Sequence, residues 1–116
     1  MDDLGRVVVV QAGFALWKGG RCIAAGRWAD IRQIRATRLA SDETAARLVM
    51  ELMDGTVLEM HENAPGFTLF LKRGAATLSG LIPVDVWRPA LFAAPSGGEG
   101  ALLFERPEPR QPRLSR

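Results

Sequence analysis

The sequence has no tyrosine, one histidine and one cysteine among its 116 residues. Because Cys22 stands alone, no disulfide can form within the chain, so packing must hold the fold, as suits a reducing cytoplasm. His61 is equally isolated, and without a second histidine or cysteine it completes no usual zinc set. The lack of tyrosine thins out the aromatic platforms on which single-stranded nucleic acid stacks. Long apolar runs are also missing: the charge-free stretch from Val7 to Trp17 falls well short of the ~20 residues a spanning helix needs. The opening MDDLGRVVVV sets two acids before a short apolar run, the reverse of a secretory leader. No phosphate-cradling Gly-Lys-Ser/Thr loop, nucleophile elbow or His-Glu-x-x-His helix is present. These absences point to a cytoplasmic chain with no cofactor, no metal, no catalytic set and no membrane insertion.

What is present is an ordinary globular composition, 47% hydrophobic and 24% charged. A chain of this size buries roughly two-thirds of its unfolded surface, enough for one core. The net charge is +2, and all basic residues except Lys18 and Lys72 are arginine. Four of them (Arg106, Arg110, Arg113 and Arg116) lie in or beside RPEPRQPRLSR, where three prolines remove backbone donors and oppose helix. The expected organisation is a single α+β domain over 1–106 and a flexible tail over 107–116. Without the tail the body is near neutral, which argues against a nucleic-acid partner.

Along the chain, RVVVV at 6–10 reads as a buried strand, and FALW at 14–17 continues it or begins another. Lys18-Gly19-Gly20-Arg21 reads as a hairpin turn, with RCIAAG returning. Residues 42–53 are legible in two ways. Ser41 as a cap, Asp42 and Glu43 in a first turn and Gly55 as a stop describe a helix. Alternation of Leu48, Met50 and Leu52 with Arg47, Val49 and Glu51 describes a strand running into an Asp54-Gly55 hairpin and TVLEMHE. The principal helix is expected at about 65–78, capped by Asn63, with Phe67, Phe70, Leu71, Gly74 and Leu78 on one face. PVDVWRPALFAAP suggests a short helical turn begun at Asp85, SGGEG a loop, and ALLFER at 101–106 a closing strand.

Trp28, Asp30 and Ile31, then Asp54-Gly55, Glu62, Gly66-Phe67, Trp87 and Phe104-Glu105-Arg106, form a pattern over about 14–106. It resembles a family of small uncharacterised bacterial proteins, pleckstrin-homology-like in layout. The resemblance implies a mainly antiparallel meander packed against one principal helix, and it favours strand over residues 45–53. It implies no activity.

Asp54, Glu59, His61, Glu62 and Asn63 are the candidate functional surface. Glu59 and His61, two apart, share a face if the segment is a strand, and a histidine beside carboxylates suits proton transfer or weak metal binding. The plainer alternative is a solvated strand end, with Glu62 or Asn63 capping the next helix. Asp30 either lines a pocket beside Trp28 or accepts backbone hydrogen bonds while the indole packs inside. Arg27, Arg32, Arg35 and Arg38 either form an anion-binding patch or a solvated face. Cys22 reads as a small buried hydrophobe, the tryptophans as core, and Trp87 with Phe92 as a candidate apolar contact patch.

The function expected from this is a small non-enzymatic binding or protein-interaction domain, with a protein partner or a second copy of itself. The rival readings are a small enzyme or ligand binder using His61 with Glu59 or Glu62, and a binder of anionic lipid or phosphate. The sequence does not name a small-molecule ligand.

Overall fold

The computed structural model describes residues 4–38, 45–93 and 100–107. The chain is α+β, with two antiparallel sheets and two helices. The first sheet is a meander in the order β1-β2-β3, from Arg6–Val9, Gly13–Lys18 and Arg21–Arg27. The second runs β6-β5-β4-β7, from Val57–His61, Ala46–Leu52, Ile31–Arg38 and Ala101–Glu105. Helix α1 spans Phe67–Thr77 and α2 spans Val84–Ala93, both between β6 and β7.

The ambiguity at 46–52 resolves as strand. Ala46, Leu48, Met50 and Leu52 are buried and the residues between them are half-buried, a strict period of two. Pairing on both sides, Ile34 with Met50 on β4 and Met50 with Leu58 on β6, overrides the local helical preference. The proposed cap and first turn at 41–43 lie outside the described residues, as do most of the SGGEG loop and the tail beyond Pro107.

One turn of 3-10 helix at Trp28-Ala29-Asp30 joins the two sheets. The indole of Trp28 packs 5.8 Å from the ring of Phe14 and 5.2 Å from that of Phe70, while Phe14 and Phe70 meet edge-on at 5.6 Å. These three rings bring sheet one, the connecting turn and α1 into one core, to which the second sheet adds Ile31, Ile34, Leu48 and Met50. The turn's backbone is tied down from both ends of the chain. The Trp28 N–H donates to the Ala12 carbonyl at 3.1 Å, and Arg106 donates to the Ile31 and Trp28 carbonyls at 2.8 and 3.1 Å. Asp30 accepts the Arg27 backbone N–H at 3.1 Å, the structural role of the two weighed for it.

Several expectations need correction. Asn63 does not cap α1; the cap position is Gly66, whose φ of 90° lies in the left-handed region. A side chain there would run into the Val7 carbonyl, so glycine allows the helix start to press against β1. There the Pro65 carbonyl accepts the Val7 N–H at 2.8 Å and closes that sheet edge. The segment read as a short turn is a ten-residue helix, α2, with Trp87 and Leu91 buried one turn apart. Its C-terminal carbonyls at Leu91 and Phe92 are capped by the Arg38 guanidinium, at 2.8 Å for Phe92. Cys22 is exposed rather than buried, because it faces outward on an edge strand beside Trp17.

Candidate functional site

Strand β6 turns Leu58 and Met60 into the core and leaves Val57, Glu59 and His61 on the other face. Glu59 and His61 do share a side, but the five candidate residues do not gather at one place. Asp54 lies in the β5–β6 hairpin, where its Oδ1 accepts the Thr56 N–H at 2.9 Å, while Glu62 and Asn63 follow the opposite end of β6. The Thr56 backbone N–H is the main cause that holds the Asp54 carboxyl below its usual range.

Each remaining member is engaged in a structural bond. Glu59 pairs with Arg47 at 2.9 Å, and Arg47 also donates to the Thr37 hydroxyl at 3.1 Å, a cross-strand tie over β4, β5 and β6. His61, directly opposite Arg47, accepts the Asn63 N–H on Nδ1 at 2.9 Å. Glu62 is the most committed. Its Oε1 accepts the Ala46 N–H at 2.9 Å, its backbone N–H donates back to the Ala46 carbonyl at 3.0 Å, and Arg88 grips both carboxylate oxygens at 2.8 Å. The guanidinium holds the Glu62 carboxyl below its usual range despite burial that acts the other way. Among the described residues no group of three or more His, Cys, Asp or Glu could hold a metal ion.

Three of the four arginines named as a patch, all but Arg35, are engaged in the same manner. Arg27 meets Asp30, Arg32 meets Glu51 at 3.3 Å, and Arg38 caps α2. Trp87 is buried, and Phe92 is half-buried with Arg38 and Arg88 over its ring, so the apolar contact patch expected there does not form. A groove of about 370 Å³ runs between α1 and the start of α2, lined by Phe67, Leu71, Leu81 and Ile82. Of its two acids, Glu62 and Asp85, the half-buried Glu62 is already held by Arg88.

The surface that stands out is on the first sheet. Val7, Leu16 and Ala24 form one cross-strand row towards the core, whereas Val8-Ala15-Ala25 and Arg6-Trp17-Cys22 form rows on the other face. On that outer face Val8 is 37% exposed and Trp17 39%, and Ile23 on the adjoining strand is 58% exposed. Trp17 and Val8 wall a hollow of about 400 Å³, closed by Arg6, Lys18 and the Gly19-Gly20 turn. The turn depends on its glycines, whose φ angles are 61° and 77°, and no side chain there covers the hollow. Arg6, Lys18 and Arg21 form no ion pair among the described residues.

The sequence carried a signal for this surface, because no acidic residue stands between Leu4 and Ala29. By contrast, the outer face of the second sheet mixes Arg32, Arg35 and Arg47 with Glu51 and Glu59. Among the described residues no helix is long and apolar enough to cross a membrane. Comparisons with family models, with curated proteins and with solved structures find no match to this chain.

Proposed function

We propose that this chain is a small non-enzymatic binding module that meets a protein partner on the outer face of its first sheet. The observation that carries the reading is Trp17. A large aromatic left 39% exposed beside Val8, at the wall of a hollow lined by Arg6 and Lys18, which form no ion pair among the described residues, is costly surface for a free protein and typical of a contact hot spot. The catalytic alternative around His61 has less support, since Glu59 and Glu62 are held by Arg47 and Arg88.

The proposal includes a cytoplasmic setting, in keeping with the lone exposed thiol of Cys22. It includes a bacterial, pleckstrin-homology-like relationship: two antiparallel sheets over a helix suit it, although here β7 returns to β4 after the helices. Capture from lysate by the wild type and by Trp17→Ser, with light scattering on each, tests the reading. An assembly formed by the wild type and lost in Trp17→Ser is expected. A wild type that is monomeric and captures nothing, or capture indifferent to Trp17, would overturn it.

A further inference from the structure

Resting on that reading, we propose that the segment bound on this face is acidic and carries one large apolar side chain, which fills the hollow beside Trp17. The hollow of about 400 Å³ is lined mainly by the apolar surfaces of Val8 and Trp17, and by the glycine turn. That volume accommodates a phenylalanine or leucine side chain with room for its flanking backbone. Beside it Arg6 and Lys18, both in its lining, supply positive charge. No carboxylate from residues 4–29 offsets them. Carboxylates on either side of the anchor therefore complete the charge pattern, each a charge-assisted contact with an arginine or lysine.

A second copy of this chain does not suit the face. A two-fold contact would bring Arg6 and Lys18 of one copy into one interface with the same cations of the other. Addition of a strand to β3 is disfavoured too. Strand β3 is irregular opposite Leu16 and Trp17 and is bounded by Arg21 and Arg27, both features that blunt an edge. A lipid surface supplies anions but no single side chain to fill a concavity, so a peptide anchor is the better fit.

Trp17 itself reports binding. Trp28 and Trp87 are 4% and 2% exposed, so a change in tryptophan emission on titration comes from Trp17, and Trp17→Phe removes it. The probe is a synthetic peptide of about ten residues with alternating Asp and Ser around one central Phe, a length that matches a face of this size. Binding should weaken about tenfold between roughly 50 and 300 mM salt. Arg6→Gln and Lys18→Gln should each weaken it about threefold, and the two together roughly tenfold. Replacing the peptide's Phe by Ser, or its Asp by Asn, should abolish the response.

No emission change, or binding indifferent to the Asp or the Phe, would overturn the proposal. So would a response to phosphatidylserine vesicles or to a single-stranded oligonucleotide but not to the peptide, which would make lipid or nucleic acid the occupant. Trp17-dependent capture from lysate without peptide binding would overturn the acidic occupant and leave the module reading standing.

Discussion

Glu62 and Arg88, 26 residues apart, meet in a two-pronged ion pair with both bonds at 2.8 Å. The same carboxylate accepts the Ala46 N–H, so one side chain ties β5, the end of β6 and α2 together. The Glu62 side chain is 12% exposed and that of Arg88 41%, which leaves the acid desolvated and dependent on its partners.

Glu62→Ala should therefore lower stability by about 2–3 kcal/mol at neutral pH, since it removes the carboxylate that the Ala46 N–H and the Arg88 guanidinium share. Urea unfolding monitored by circular dichroism measures this. A loss below ~0.5 kcal/mol would mean that water replaces the carboxylate at no cost.

The same pair sets an acid dependence. The folded Glu62 carboxyl lies below its ordinary value of 4.5, chiefly because of Arg88. Its contribution is thus fully present above about pH 4.5 and is lost as pH falls through the lowered folded value. Thermal midpoints should fall more steeply with acid in the wild type than in Glu62→Gln, and the two curves should converge at low pH. Parallel curves would contradict the assignment.

Gly66→Ala tests the junction of α1 with β1. The substitution forces a side chain into the left-handed region and against the Val7 carbonyl, at a cost of about 2–4 kcal/mol. Loss of soluble protein or a midpoint lowered by ten degrees or more is expected. A midpoint unchanged from the wild type would mean the helix start is free to move.

His61→Asn and Glu59→Gln should each change stability by less than ~1 kcal/mol, because both residues lie on the outer face of an edge strand. Neither should affect partner capture. A selective loss of capture in His61→Asn, with the fold intact, would return the functional surface to this end of the second sheet.

Much of the fold was legible where residues speak locally. The Asp54-Gly55 hairpin and the Phe67, Phe70, Gly74 face of α1 were readable from local signals, whereas the alternation at 46–52 competed with a helical reading that only pairing with β4 and β6 decides. What escaped depends on distant partners. Asn63 has the chemistry of a cap, but the approach of Val7 moved the helix start to Gly66. The segment from Asp85 read as a short turn, whereas α2 continues to Ala93 with its final carbonyls held by Arg38 from β4.

The candidate site was read less well, for a related reason. Glu62 and His61 are chemically conspicuous in a chain poor in titratable clusters, yet their bonds are spent on Ala46, Arg88 and Asn63. Trp17 and Cys22 looked like core because they are apolar residues in apolar strands, and only the β1-β2-β3 register shows them on the outward row. The acid-free stretch from Leu4 to Ala29 was visible in the sequence but has meaning only once those strands form one face.

The most direct measurement places a photo-crosslinking amino acid at position 8, on the outer face of the first sheet, or at position 49, on that of the second. Irradiation of each protein in lysate from its source cells should give a discrete adduct from position 8 and none from position 49. Adducts from position 49 alone, or from neither position, would contradict the assignment of the contact surface to the first sheet.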